Sequence, residues 1–259
     1  MFNPERESQQ ESRGPNAEHL AEGIRPIMAC VGTYKEYGGE LSKLHEIERL
    51  GHHSDYNGKS VLLNEKGFKA DTSPTGNPNY VISPVDGKPK FTKGLFDCTS
   101  VVAVGRENET DKELSILTHQ DPKEFLTDSE RKFENDLRDR LKEFKEKCLE
   151  GTIDIVIAGG KLTASFRRIQ DTENYEDTLD RISLIVEEMF GFQPIVICGP
   201  KDKNSDDIFL DTQNRRLYIL RPEDSNLHNE VFRPNQISDM GKKWEEEGPK
   251  IPRYNPDID

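Results

Sequence analysis

The sequence predicts a layered α/β sandwich, with a mixed or antiparallel sheet and two main helices on one face. Three observations predict it. Short β-branched runs, clearest at residues 99–104 and 152–158, recur along the chain. Two stretches with apolar residues every three or four positions interrupt those runs as amphipathic helices. The 259 residues are 32% hydrophobic and 33% charged, which fits one ordinary core with solvated ends rather than two full cores. The expected organisation is a disordered tail over residues 1–24, one α/β domain over 25–222, and a Pro-rich charged tail or strap over 223–259.

Taken in order, residues 26–32 (PIMACVG) read as a first strand, with Cys30 a small buried hydrophobe. Between positions 36 and 50, Leu41, Leu44 and Ile47 fall at helical spacing, although Gly38 and Gly39 weaken the start. Residues 60–63 and 80–83 read as strands separated by a loop rich in Gly, Pro, Asn and Thr, and residues 84–88 carry a turn signature. Residues 99–104 and 114–118 are strands joined by the polar loop 105–112, a hairpin. Residues 127–130 (TDSE) form a capping box ahead of the stripe Phe133, Leu137, Leu141, Phe144 and Cys148, which Gly151 stops. Residues 152–158 are a strand ending at Gly159 and Gly160. A second helix runs from about Tyr175 through Leu179, Ile182, Ile185, Val186 and Met189 to Gly191, and residues 194–198 form the next strand. A last hairpin pairs residues 208–210 with 217–220, turning at 212–215.

Charge and composition narrow the function classes. A net charge of −13 argues against nucleic acid or an anionic membrane as the main partner, since both require basic surfaces. No apolar run is long enough to span a bilayer, and the N-terminal residues lack the apolar core of a secretory signal, so a cytoplasmic location is expected. Cys30, Cys98, Cys148 and Cys198 are widely spaced with no CxxC pair, which points to reduced thiols rather than a disulfide framework or a zinc site. His52 and His53 have no third ligand near them. The stretch 202–206 (DKNSD) begins like a calcium loop but has Asp207 where glycine is required and Gln213 where the last acidic ligand belongs. Residues 158–163 (AGGKLT) lack the spacing of a phosphate loop. No metal or cofactor is expected. His19, His45 and His228 lie in polar surroundings and read as surface residues.

One stretch carries candidate chemistry. Cys98 opens one strand of the hairpin and His119 closes the other, so antiparallel pairing brings both to the same end. An imidazole beside a thiol favours the thiolate, and residues 94–97 read as a loop offering main-chain N–H donors, a combination suited to acyl transfer from an amide. On spacing alone the same two residues read equally as a strand cysteine and a loop histidine with no common role.

At these residues the sequence resembles the Cys–His amidohydrolases, which include the bacterial chemoreceptor glutamine deamidases and the eukaryotic protein N-terminal asparagine amidohydrolases. Cys98 followed by the strand TSVVAV, then the string LTHQD at residues 117–121, carries the resemblance, and that string is closest to the asparagine amidohydrolase branch. Residues 157–160 (IAGG) match the family's strand ending in paired glycines, and the likeness extends over roughly residues 81–222. It implies Cys98 as nucleophile, His119 as general base and acid, and Thr92, six positions before Cys98, as the residue that completes the site. Asp97 and Thr99, which border the cysteine, and the paired glycines Gly159 and Gly160 are the expected oxyanion and substrate-binding residues. The implied activity is deamidation of a Gln or Asn carboxamide, internal or N-terminal, in a protein or peptide substrate, without a cofactor. Two departures stand out: Phe96-Asp97 replaces the Gly-Ser pair of the bacterial deamidases, and the loop between Cys98 and His119 is several residues longer. A binding module that keeps the fold without the chemistry, with Asp97 spoiling the oxyanion loop, is the alternative. A toxin-like effector deamidase would share the mechanism but act in another compartment.

Overall fold

The computed structural model of the chain describes residues 18–50, 67–72, 78–95, 98–121, 131–159, 169–198, 205–221 and 230–232. Its strands are β1 (Met28–Thr33), β2 (Glu48–Leu50), β3 (Lys69–Thr72), β4 (Pro78–Ile82), β5 (Lys90–Leu95), β6 (Thr99–Arg106), β7 (Glu113–Gln120), β8 (Asp154–Gly159), β9 (Ile195–Cys198), β10 (Asp206–Asp211), β11 (Arg216–Arg221) and β12 (Glu230–Phe232). Its helices are α1 (Tyr34–Leu41), α2 (Lys132–Lys147) and α3 (Ile169–Phe190). The architecture is mixed α/β, a sandwich of two sheets with helices outside. One sheet has the order β1-β11-β10-β5-β2, the other β12-β9-β8-β6-β7-β4-β3. Both are mixed: β1–β11, β2–β5 and β8–β9 are parallel, and the remaining pairs are antiparallel.

Side-chain alternation sorts the apolar residues into layers. On β6, Val101 and Ala103 join Phe133, Leu137, Leu141 and Phe144 of α2 and Leu179, Ile182, Ile185 and Val186 of α3 in an outer core. The alternate positions Cys98, Val102 and Val104 join Leu117, Val156 and Ala158, and meet Leu50, Leu95, Ile208, Leu210, Leu217 and Ile219 of the other sheet in an inner core. A smaller cluster of Cys30, Tyr218 and Leu220 packs against Tyr37 and Leu41 of α1 on the far face of the five-stranded sheet. Both faces of β6 and β8 are therefore buried, which explains why their sequences are continuous apolar runs rather than alternating ones. Among the described residues, no helix is long and apolar enough to cross a membrane.

The central hairpin and both long helices lie where the sequence predicts them, although α3 begins at Ile169 instead of about Tyr175. Three expectations are corrected. The helical spacing read through to residue 50 stops at Leu41. Thr33 and Glu36 form a reciprocal capping box at the start of α1, and Glu48–Leu50 is a strand beside β5. Gly94 and Leu95, read as loop, belong to β5. Residues 18–24, assigned to the disordered tail, pack on the domain. Leu20 is buried, the Ala21 N–H donates to the Gly151 carbonyl, and the ring of His19 stacks on Phe192 at 3.7 Å with Asp154 nearby, so His19 is not a simple surface residue. Beyond Pro222, β12 adds a short strand to the edge of β9. The expected strand at 60–63, the capping box at 127–130, the loop at 202–204 and the pair His52 and His53 lie outside the described residues.

Candidate functional site

β6 and β7 set the geometry. Thr99 pairs with Gln120 and Val102 with Leu117, so His119 comes opposite Ser100, and Cys98 stands two residues from Ser100 on the same face. That face is the inner one. Cys98 and Leu117 belong to the inter-sheet core, as does Val81, the partner of His119 on β4. Diagonal positions of this kind lie about 7–8 Å apart at their Cα atoms, a separation that a cysteine and a histidine side chain can bridge.

The facing sheet supplies the third member. Thr92 on β5 pairs with Ile208 on one side and Leu50 on the other, both inner-core residues, so its side chain also points between the sheets. Its Oγ1 lies 2.7 Å from Nδ1 of His119, and both residues are fully buried. The same hydroxyl lies 3.4 Å from the Leu50 carbonyl, to which it can donate. The Thr92 hydroxyl thus links the two sheets at this end by a side-chain hydrogen bond to the histidine.

Just beyond Thr92 the strand departs from regular pairing. Ile208 faces Thr92 and Asp206 faces Leu95, which leaves one extra residue in β5. Gly94 takes up the irregularity at φ 74°, and its N–H donates to the Asp207 carboxylate at 2.9 Å. Gly159 ends β8 at φ 87°. A Cβ there would lie 3.0 Å from the Cys98 carbonyl oxygen and 3.0 Å from the Leu95 side chain, so only glycine lets the strand end approach so closely.

Hydroxyl and amide side chains fix this end of the hairpin. The Ser100 hydroxyl donates to the Thr118 carbonyl at 2.5 Å, and Thr118 Oγ1 accepts the Val101 N–H at 2.7 Å. On the opposite face, Gln120 donates to Thr99 Oγ1 at 2.9 Å and accepts from the Thr118 hydroxyl at 2.5 Å. The structure therefore brings Cys98, His119, Thr92 and Gly159 to one place, whereas the Thr99 side chain turns to the other face and is held by Gln120. Asp97 and Gly160 lie outside the described residues. Ser100, Thr118, Gln120 and the Leu50 carbonyl were not singled out from sequence. The available signal was polarity inside apolar strand runs, since a buried polar side chain must find a partner.

The three cysteines whose burial is described differ in access. Cys98 is 8% exposed, against 5% for Cys148 and 1% for Cys30. Burial, with the Glu113 carboxylate nearby, pushes the Cys148 thiol up to about 12, so it stays protonated near neutrality. Among the described residues, no group of three or more His, Cys, Asp or Glu is arranged to hold a metal ion. A cavity of about 670 Å³ lies at the opposite end of the hairpin, where Arg106 and Glu113 flank the loop, roughly 23 Å along β6 from Thr99. It does not reach the cysteine. No family model matches this chain, and no curated protein shows significant similarity to it.

Proposed function

We propose that the protein is a cysteine-dependent amidohydrolase that deamidates a Gln or Asn carboxamide of a protein or peptide substrate. The observation that carries this reading is the buried 2.7 Å contact between Thr92 Oγ1 and His119 Nδ1, on the face that Cys98 shares. A thiol, an imidazole beside it and a group orienting that imidazole are what nucleophilic catalysis on an amide requires. With Nδ1 engaged by Thr92, proton exchange with the thiol runs through Nε2.

The steps follow from those roles. His119 Nε2 accepts the Cys98 thiol proton as Sγ bonds to the carboxamide carbon and the carbonyl electrons move onto oxygen. The protonated ring then gives its proton to the nitrogen, the C–N bond breaks, and ammonia leaves a thioester on Cys98. A water molecule, losing a proton to His119, attacks that thioester. Collapse expels the Cys98 sulfur, which regains its proton, and the product is the carboxylate. Main-chain N–H groups around Cys98 would stabilise the oxyanion, each by about 3 kcal/mol. No cofactor enters these steps.

Ammonia release from a panel of peptides carrying internal Gln, internal Asn or N-terminal Asn tests the reading, alongside labelling by a thiol-directed probe. The expected result is release that disappears in Cys98→Ala, with Cys98 labelling far faster than Cys30 or Cys148. Release that survives Cys98→Ser at the wild-type rate overturns the mechanism. Slow labelling of Cys98 with no release from any peptide assigns the chain instead to a binding module of the same fold.

A further inference from the structure

β2 is only three residues long and stands at the edge of its sheet, a weak element if held by main-chain pairing alone. A charge cluster centred on the buried Lys90 fixes it. Glu48 and Lys90 are register partners on β2 and β5, and their side chains form an ion pair at 3.0 Å, with Lys90 fully buried. Lys90 also meets Asp86 at 2.7 Å, and Lys88 reaches Glu48 at 3.5 Å. Two residues further along the same two strands, Leu50 pairs with Thr92. The ion pair that anchors β2 therefore fixes the carbonyl that faces the Thr92 hydroxyl.

That carbonyl has a chemical consequence for the histidine. A threonine hydroxyl has one hydrogen to give. Donated to the Leu50 carbonyl, it leaves Oγ1 to accept from Nδ1–H of His119, and Nε2 is then the unprotonated nitrogen. Donated to Nδ1 instead, it leaves the hydrogen of the neutral ring on Nε2, where it cannot take a proton from a thiol. We propose that Glu48 and Lys90 are positioning residues: by holding the Leu50 carbonyl against Thr92 they select the His119 tautomer that can act as a base. The catalytic consequence rests on the amidohydrolase reading, whereas the tautomer itself does not.

The experiment reads the tautomer directly. In protein labelled with nitrogen-15 in histidine, long-range proton–nitrogen spectra at a pH where His119 is neutral distinguish Nδ1–H from Nε2–H. The wild type is expected to carry the hydrogen on Nδ1. Glu48→Ala and Lys90→Met should lower the ratio of Nδ1–H to Nε2–H at least tenfold and lower the kcat for ammonia release about 10- to 100-fold with KM within twofold, the usual scale for a residue that acts by orienting another. Arg49→Ala, an exposed change on the same strand, should move neither readout. If Lys90→Met fails to fold, Glu48→Ala carries the test, because Lys90 keeps Asp86 as a partner. A wild type with the hydrogen on Nε2, or a ratio unchanged in Glu48→Ala, overturns the proposal. A wild type with Nδ1–H that releases no ammonia from any peptide leaves the tautomer selection standing and removes the deamidase reading.

Discussion

The contact between Thr92 and His119 can be weighed by replacing Thr92 with valine. The two side chains have nearly the same shape, and position 92 is fully buried, so Thr92→Val opens no cavity. It removes the hydroxyl from His119 Nδ1 at 2.7 Å and from the Leu50 carbonyl at 3.4 Å. Losing the partner of a buried polar group costs about 1–3 kcal/mol, and the fully buried ring nitrogen places this case near the middle of that range. A loss of about 2 kcal/mol lowers the Tm of a domain this size by roughly 4–8 °C. Thr92→Ser, which keeps the hydroxyl and gives up one methyl group, should cost only about 1 kcal/mol and retain most of the ammonia release. Urea unfolding of the four proteins in a cycle with His119→Leu isolates the pair. The coupling should be at least about 1 kcal/mol, with Thr92→Val neutral or stabilising once His119 is leucine. If Thr92→Val costs less than about 0.5 kcal/mol with His119 present, or the same in both backgrounds, the hydroxyl does not hold the ring.

Other positions yield separate tests. Cys98→Ala and His119→Ala should each abolish ammonia release, and the double variant should be no worse than either, because residues acting as a unit are non-additive; a further multiplicative loss in the double variant would separate their roles. Gly159→Ala forces a side chain into φ 87° and against the Cys98 carbonyl, so it should cost at least about 1 kcal/mol in urea unfolding and slow Cys98 labelling; unchanged labelling would place Gly159 outside the site. The folded-state pKa of Cys148 lies above its ordinary value of 9.0, at about 12, so the stability it contributes is fully present below pH 9 and is lost as pH rises toward 12. Three pH units correspond to at most about 4 kcal/mol, and the fall of the unfolding free energy over that window should be visibly shallower in Cys148→Ala; parallel curves would refute the assignment.

The parts of the fold legible in the sequence are those with local rules. Cys98 and His119 come to the same end of one hairpin once the polar residues 105–112 are read as its loop, and parity along β6 and β7, which run on to Arg106 and begin again at Glu113, puts both on one face. The stripe from Phe133 to Phe144 and that from Leu179 to Val186 mark the helix faces that fill the outer core. β5 was obscured because Lys90, Thr92 and Gly94 break any apolar alternation in KFTKGL, and each departs from it for a reason external to the strand. Lys90 answers Glu48 and Asp86, Thr92 answers His119 across the sandwich, and Gly94 takes up the bulge. The division into two sheets was equally hidden. β1 is placed beside β11 by pairs such as Met28 with Arg216, and no local period records a partner so distant in sequence. The packing of residues 18–24 depends on the Gly151 carbonyl and the Phe192 ring, again remote from their own window.

The inner core itself separates a site from a stretch of ordinary packing. Its members on the strands that carry His119, Thr92 and Lys90 and on their neighbours include Leu50, Val81, Leu117, Ile208 and Leu210, all apolar and buried. Among them the chain places Thr92, Lys90 and His119, which must give up hydration and find partners before they contribute anything to folding. Replacing a buried charge pair with apolar residues of similar size is often neutral or stabilising, so packing alone gives no reason for a lysine at position 90. What these three residues share is a path that runs from the Glu48 carboxylate through the Leu50 carbonyl and the Thr92 hydroxyl to one nitrogen of one imidazole, on the face where Cys98 also lies. A layer built only for stability has no need to direct that nitrogen. On the proposed amidohydrolase reading a thiol awaiting a base does, and for that reason the cost of the polar path favours that proposal over an inert scaffold.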